Sequence, residues 1–353
     1  MFLKYVAPAL LVGSILSACS LQSEEEEVLQ SPIAPRFAMA TSTAASSIGL
    51  VGSSSDVSTS TTGGTVLMGG GADVDEAIQW MISKSGGGDF VVLRATGGAG
   101  YNDYIYGLGS VNSVETLLID SRTKANDATT EATIRNAEAV FIAGGDQYDY
   151  VSFWKDTKVE SALNYLVRTK NVPIGGTSAG CAIQGKYYYT AQNGTIRSDD
   201  ALDNPFDSRV TIQRNNFLDN DYLDNTITDT HYDNPDRRGR QLTFMARMRT
   251  DYGITPRGIG VDEQTAVCID QYGKASVFGY GYAFFLQQYG GSPERCTSGQ
   301  SLDWYRNREA VRVYKIQATT SGNRYFRVNN WTQGSGGAWQ YYYADYGRLR
   351  VNQ

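Results

Sequence analysis

The feature of this sequence that most constrains its fold is a repeated alternation of short apolar runs and helical patterns, with glycines where most of the runs end. The apolar runs occupy residues 65–68, 90–93, 114–119, 137–143 and 172–174. Helical patterns such as 75–84 and 158–168 lie between them. This alternation indicates a mainly parallel sheet with helices on both faces. We therefore predict an α/β fold whose ligand crevice lies at the carboxyl ends of the strands.

The N-terminal segment has the pattern of an export signal. Lys4 precedes an apolar run at 6–16, and Leu-Ser-Ala-Cys at 16–19 resembles a bacterial lipobox. We therefore expect residues 1–18 to be a signal peptide and Cys19 to be lipidated. The apolar run is too short to be a membrane span. Ser20 favours the outer membrane, by resemblance to Gram-negative lipoproteins. The alternative is an ordinary cleaved signal with a chance cysteine.

The remaining chain divides by composition. An acidic run at 24–27 and a Ser/Thr/Gly/Ala-rich stretch after it contain few large apolar residues, and such a segment cannot bury enough surface to fold. We therefore expect a flexible tether over 19–63 and a single domain over 64–353. Within that domain, 185–225 predicts long loops, and short β-like segments with an aromatic tail at 331–346 predict a β-rich C-terminal extension.

Composition also limits partners and cofactors. The formal net charge is −6 and the pI is near 5.0, which argues against nucleic acid because phosphate binding needs a basic surface. A neutral or basic substrate suits this charge better. The single histidine and the absence of a Cys-x-x-Cys pair leave little from which to build a His/Cys metal site. We predict no metal and no cofactor, and membrane contact only through the N-terminal lipid.

Three further cysteines, Cys181, Cys268 and Cys296, permit at most one disulfide within a monomer. The sequence leaves open whether Cys268 and Cys296 pair. It also leaves open the oligomeric state, a homodimer included.

Ser178 is the candidate nucleophile. It lies in Gly-Thr-Ser-Ala-Gly at 176–180, directly after an apolar strand. Gly-x-Ser-x-Gly in this context is a nucleophile elbow, because small residues permit a strained strand-to-helix turn. The alternative is a glycine-rich turn whose serine only caps a helix.

A serine hydroxyl needs a base, and His231 is the one histidine in the chain. The alternative is a histidine packed or solvated for no catalytic purpose. A third group must orient the imidazole, and Glu263 and Asp262 both follow the apolar strand at 258–261. Adjacent strand positions face opposite ways, so only one of these carboxylates can point at His231. The order serine, histidine, acid differs from that of α/β-hydrolases.

These segments together resemble the cyanophycinase family of serine peptidases. The matching motifs are 144–147 (Gly-Gly-Asp-Gln), 176–180, 229–232 (Asp-Thr-His-Tyr) with 236–240, and 258–263. The resemblance covers about residues 64–281. It implies a fold like class I glutamine amidotransferases, of the flavodoxin-like type, and a triad of Ser178, His231 and Glu263. It also implies an oxyanion hole from backbone N–H groups near Gly145 and Ala179.

The family hydrolyses the aspartate–arginine polymer cyanophycin to β-aspartyl-arginine. The resemblance implies substrate-binding roles for four residues, which are Gln147, Asp229, Arg237 and Arg240. This chain has Thr230 and Pro235 where the family suggests Gln and Arg, which affects substrate specificity more than chemistry. We expect hydrolysis of cyanophycin or a related (iso)peptide through an acyl-enzyme on Ser178. The alternatives are an aspartyl or isoaspartyl dipeptidase of the same fold and an inactive surface binding protein.

Overall fold

The computed structural model describes residues 44–214 and 216–353. The predicted signal peptide, Cys19 and the acidic run lie outside the described residues. The strands are β1 Ser47–Gly52, β2 Gly64–Met68, β3 Asp89–Arg94, β4 Ser113–Leu118, β5 Ala139–Ile142, β6 Pro173–Thr177, β7 Tyr187–Tyr189, β8 Ile212–Arg214, β9 Thr226–Asp229, β10 Arg257–Val261, β11 Thr265–Asp270, β12 Lys274–Gly279, β13 Tyr282–Gln288, β14 Val311–Gln317, β15 Tyr325–Arg327, β16 Gly334–Ser335, β17 Gly337–Asp345 and β18 Arg348–Asn352. The helices are α1 Asp75–Lys84, α2 Tyr101–Leu108, α3 Arg122–Ala125, α4 Ala128–Asn136, α5 Gln147–Trp154, α6 Lys158–Tyr165, α7 Ala179–Ala182, α8 Ser198–Asp203 and α9 Arg238–Tyr252. A π-helical segment at Leu166–Lys170 follows α6, and a 3-10 turn lies at Arg306–Arg308.

The first sheet has the order β1-β4-β3-β5-β6-β2-β11-β12-β15-β16, and its five strands from β4 to β2 are parallel. Val91 and Leu93 face a core layer formed with α4, α5 and α6, whereas Phe90 and Val92 face the layer formed with α1 and α2. Successive residues of one strand therefore bury against helices on opposite faces. The predicted α/β layering with helices on both faces is present in this part of the chain.

The second sheet has the order β18-β17-β14-β13-β10-β9-β7-β8. Its β7-β9 and β9-β10 pairs are parallel and its other pairs are antiparallel. The predicted mainly parallel sheet is thus wrong for the chain as a whole. The reason is local: the strands after β10 are connected without an α-helix, and a parallel pair needs a long crossover connection that is usually an α-helix. The predicted β-rich C-terminal part is present.

The folded part begins before residue 64, so the predicted boundary of the tether is wrong. Strand β1 pairs antiparallel with β4 at the edge of the first sheet, and the backbone N–H of Thr62 donates to the carbonyl of Lys84 at 2.9 Å. The strand is rich in small residues because it packs closely: a Cβ at Gly49 would lie 3.2 Å from Asn102 Nδ2. An edge strand with one half-covered face needs few large apolar side chains.

The region predicted as long loops contains three short elements, β7, α8 and β8. The aromatic tail contributes β17 and β18, which form an antiparallel hairpin at the edge of the second sheet. Cys181, Cys268 and Cys296 are buried free thiols, so no disulfide joins any two of them. No helix within residues 44–214 and 216–353 is long and apolar enough to cross a membrane.

Candidate active site

Ser178 lies at a sharp turn between β6 and α7. Its backbone has φ 52° and ψ −117°, a conformation that non-glycine residues seldom adopt. A Cβ at Gly176 would lie 2.5 Å from the carbonyl oxygen of Gly180, and one at Gly180 would lie 2.1 Å from that of Ile142. Only glycine fits at these two positions. The glycines at 176 and 180 therefore permit the turn that lifts the Ser178 hydroxyl clear of the strand.

The side chains of Ser178, His231 and Glu263 form a continuous hydrogen-bonded series. Ser178 Oγ lies 2.7 Å from His231 Nε2, and His231 Nδ1 lies 2.6 Å from Glu263 Oε1. An ionised carboxylate only accepts hydrogen bonds, so Nδ1–H donates to Glu263 and, in the neutral ring, Nε2 accepts from the serine hydroxyl. This is the tautomer that leaves Nε2 able to take the serine proton.

Of the two carboxylates that the sequence left open, Glu263 reaches His231 and Asp262 does not. Asp262 is 4% exposed, and its Oδ2 accepts the N–H of Tyr282 at 2.9 Å. Burial, reinforced by the nearby Asp233, raises the pKa of Asp262 to about 7. The backbone N–H of Glu263 donates to Asp233 Oδ1 at 3.0 Å, which helps hold Glu263 in place.

The glycine turn after β2 supports the imidazole, a role that the sequence reasoning missed. Gly70 has φ +103°, and a Cβ there would lie 2.4 Å from His231 Cε1 and 2.5 Å from Nε2. The carbonyl of Gly69 accepts the N–H of His231 at 2.8 Å, and that of Gly70 accepts the N–H of Gln264 at 2.9 Å. The signal is three consecutive glycines at 69–71, a pattern that by itself indicates only the end of a strand.

Gly145, Gln147 and Ala179 line the same cleft as Ser178 and His231, and this cleft has an empty volume of about 740 Å³. Ala179 begins α7, and Gly145 lies in the turn between β5 and α5. Tyr150 Oη holds that turn by donating to the carbonyls of Ala143 at 2.8 Å and Gly144 at 3.0 Å. Both turns thus border the cleft that contains Ser178.

Asp229 and Arg240, both predicted to bind substrate, bind one another. Their side chains are each 3% exposed, and Arg240 Nε donates to Asp229 Oδ2 at 2.9 Å. A further nitrogen of Arg240 donates to Thr195 Oγ1 at 3.2 Å. Arg240 lines the cleft, whereas Asp229 is not among the residues that line it in the described chain. The bidentate fork of Arg240 is therefore filled by a carboxylate of the protein itself.

Arg237 lines the cleft and is the guanidinium best placed to meet a ligand. Its Nη1 donates to the carbonyl of Thr230 at 3.0 Å, and it forms no ion pair with any described residue. Burial, with Arg240 close by, lowers the pKa of Arg237. Pro235 lines the adjoining groove rather than this cleft.

Within the part of the chain that the structure describes, no group of three His, Cys, Asp or Glu side chains is arranged to hold a metal ion.

Comparisons with known proteins match the part of the chain that contains the cleft. The sequence profile of Peptidase family S51 matches residues 113–276, a range that includes Ser178, His231 and Glu263. The cyanophycinase of Nostoc sp. is 28% identical over 168 residues, which is 48% of this chain and 51% of that protein. The cyanophycinase of Synechococcus elongatus is 25% identical over 181 residues, or 51% of each chain.

The chain thus spans about half the length of the curated relatives it matches. The crystal structure of a peptidase from an acI-B1 Actinobacterium covers 76% of this chain and 98% of its own, with a TM-score of 0.49 and 13% sequence identity. The sequence matches support a peptidase of family S51.

Proposed function

We propose that this chain is a serine peptidase in which Ser178 is the nucleophile, His231 the general base and Glu263 the residue that orients His231. The observation that carries the proposal is the hydrogen-bonded series from Ser178 Oγ through both nitrogens of His231 to Glu263 Oε1. A serine, a base and an orienting carboxylate in this arrangement are what nucleophilic acyl transfer requires.

The chemistry proceeds in two halves. Ser178 Oγ attacks the substrate carbonyl carbon while His231 Nε2 takes the hydroxyl proton, and the imidazolium is stabilised by Glu263. His231 then gives that proton to the departing amine as the C–N bond breaks, which leaves an acyl-enzyme. Water, deprotonated by His231, attacks the ester and releases the acid. Serine and base return to their starting protonation states.

Backbone N–H groups near Gly145 and Ala179 would hold the oxyanion that forms in each half. The turn at 143–145 approaches the serine closely, because a Cβ at Gly144 would lie 3.5 Å from Ser178 Cβ. Donors fixed by the backbone need no rearrangement as charge develops, and they stabilise the transition state by several kcal/mol.

The Ser178→Ala variant tests the nucleophile. We expect hydrolysis to fall by at least about 10⁴-fold, because the residual rate would come only from binding and the oxyanion hole. A fluorophosphonate probe should label the parent protein and not the variant. Ser83→Ala, an exposed serine on α1, is the matched control and should keep full activity. Undiminished turnover in Ser178→Ala would refute the assignment.

The substrate class we propose is cyanophycin or a related aspartyl (iso)peptide, on the strength of the similarity to cyanophycinases and of Arg237 in the cleft. Gln147 lines the same cleft. Parallel assays with cyanophycin, β-aspartyl dipeptides and α-aspartyl dipeptides separate a polymer hydrolase from a dipeptidase of the same fold. Labelling of Ser178 without turnover of any of the three would favour another acyl substrate, and an absence of labelling would favour an inactive binding protein.

We further propose that the protein is exported and lipid-anchored at Cys19. The sequence pattern at 16–19 supports this proposal. In a Gram-negative host, the parent chain should incorporate labelled fatty acid and sediment with the outer membrane. Cys19→Ser should do neither, and fatty-acid labelling that persists in Cys19→Ser would contradict the proposal.

A further inference from the structure

A second and larger groove adjoins the cleft of Ser178. Thr195, Arg237 and Arg240 line both, so the two meet at these residues. The second groove has about 1730 Å³ of empty space open to solvent. Its walls are the start of α9, the loop that leads into α8, and the C-terminal strand β18. The last wall lies beyond residues 113–276, the part that matches the family profile.

This groove is strongly basic, although the chain as a whole is acidic. Its arginines are Arg197, Arg237, Arg238, Arg240, Arg348 and Arg350, and its carboxylates are Asp199 and Asp236. Arg238 is paired with Asp236 and Arg240 with Asp229. The other four arginines form no ion pair with the described residues, and Asp199 is the one remaining carboxylate of the lining. The groove therefore presents a net positive surface that its own acids do not neutralise.

Three of the four unpaired arginines are exposed. Arg197 precedes α8, and Arg348 and Arg350 lie on β18. Residues 348 and 350 are two apart on a strand, so their side chains lie on the same face. Guanidinium groups bind carboxylates in a bidentate manner, and a row of them matches a row of carboxylates.

Strand β18 also offers backbone groups for an extended ligand. It is the edge strand of the second sheet, with β17 on one side and no described strand on the other. Five successive residues, 347–351, line the groove. Side chains of successive residues alternate between faces, so a groove that meets all five runs along the edge of the strand. An unpaired edge is the part of a sheet that receives an added peptide strand.

We propose that this groove binds an extended, carboxylate-rich peptide segment, aspartate- or glutamate-rich, and guides it toward Ser178. The proposal rests on the proposed function, because it takes that segment to be part of a peptide substrate whose scissile bond lies in the neighbouring cleft. A peptide is favoured over a nucleic acid because the groove has a strand edge that can pair with a peptide backbone.

The experiment measures binding and does not need turnover. A fluorescently labelled oligo-aspartate peptide is titrated with Ser178→Ala protein, with an oligo-serine peptide of equal length as the neutral ligand. We expect the acidic peptide to bind much more tightly, and the difference to shrink as ionic strength rises. Reversal of charge in Arg348→Glu with Arg350→Glu should weaken binding by about tenfold or more, since two steering contacts become repulsive.

The control pair is Arg348→Lys with Arg350→Lys, which keeps the charge and should stay within about threefold of the parent. Arg197 lies outside β18, so Arg197→Glu tests the groove independently if the double Glu variant does not fold. Thermal unfolding shows whether each variant is folded. Equal binding of acidic and neutral peptides, or unchanged binding in both Glu variants, would overturn the proposal. Tighter binding of a single-stranded oligonucleotide than of oligo-aspartate would also overturn it.

The same data distinguish the two proposals. Normal peptide binding by a parent protein that neither hydrolyses the test peptides nor is labelled at Ser178 by the fluorophosphonate probe would refute the peptidase assignment and leave the groove intact. Hydrolysis that is unchanged in Arg197→Glu and in the double variant Arg348→Glu with Arg350→Glu would leave the peptidase assignment intact and refute the groove proposal.

Discussion

Three residues at the candidate site have left-handed backbone conformations although none is glycine. Ser178 has φ 52°, His231 has φ 46° and Gln264 has φ 53°. Such conformations cost about 1–3 kcal/mol each and persist only where the surrounding structure holds them. Each follows the end of a strand, β6, β9 and β10 in turn. The packing of both sheets therefore stabilises a local geometry that the chain segments would not adopt alone.

Gly70 lies against the ring of His231, so we expect it to be important for activity. In Gly70→Ala the new methyl would overlap the His231 ring at 2.4–2.5 Å and sit at φ +103°. We expect His231 to move and kcat to fall by roughly 10²-fold or more, as a misplaced base does. The measurement is steady-state kinetics beside a crystal structure of the variant.

Gly98→Ala is the matched control for that substitution. Gly98 also lies in a turn after a strand, β3, but a Cβ there would meet no atom within 4 Å. The control should keep its activity. A Gly70→Ala enzyme as active as this control would mean that the glycine does not hold the imidazole.

At the scale of elements, β1 is the clearest departure from the sequence prediction. Its exposed Ile48 and Leu50 and its small residues gave no strong strand signal. The strand exists because β4 offers it a ladder of hydrogen bonds, and because Ser46 Oγ reaches Thr130 Oγ1, 2.7 Å away on α4. Both partners are distant from β1 in the sequence, so the residues around 47–52 do not by themselves indicate a strand.

Removal of β1 should therefore destabilise the fold. A chain that starts at Ser53 loses the ladder and uncovers β4, so we expect its free energy of unfolding to fall by roughly 2–4 kcal/mol relative to a chain that starts at Ala44. Urea denaturation of the two chains measures the difference. Equal stability would mean that β1 is only a loosely attached edge.

At the scale of the whole molecule, the net charge of the chain and the local charge of the groove differ in sign. The chain's charge of −6 led us to expect a neutral or basic substrate, whereas the groove beside the cleft collects unpaired arginines from three distant segments. Acidic residues elsewhere set the total, and solvent and salt screen them from the groove beyond about 8–10 Å. A ligand in the groove would therefore meet the local charge and not the net charge.

The buried carboxyl of Asp262 makes folding stability depend on pH. Folding raises its pKa from 3.8 to about 7, so in this interval the unfolded chain has ionised Asp262 and the folded chain has not. Below the pKa of Asp262 in the unfolded chain, this difference in ionisation does not affect the free energy of unfolding. As pH rises from that pKa toward the pKa in the folded chain, it destabilises the fold increasingly. Asn cannot ionise and still offers an oxygen to the N–H of Tyr282. Asp262→Asn should thus raise Tm by a few degrees more at about pH 8 than at about pH 4.

Thermal unfolding of the parent and Asp262→Asn proteins across this range checks the sign. A Tm difference that does not change with pH would show that Asp262 titrates alike in the folded and unfolded chains.

Much of the architecture was readable from local pattern. Residues 75–84, predicted helical, are α1, with Ala77, Ile78, Met81 and Ile82 buried at helical spacing. The predicted strands of the parallel part appear within one to three residues of their expected limits. Ser178 was identified by its glycine neighbours and His231 because the chain has no other histidine. The element predictions were possible from local sequence because helix period, strand composition and glycine sterics are properties of short segments.

Only the tertiary structure decided which carboxylate meets His231, that Asp229 binds Arg240, and that one cleft forms where strands of two sheets end. Glu263 and Asp262 differ by one position, and a single-residue step reverses the direction of a side chain without altering the sequence pattern. The pairing of strands far apart in the chain fixes that direction. The alternation of apolar runs and glycines therefore determined the layers, and the long-range register between them decided which side chains meet.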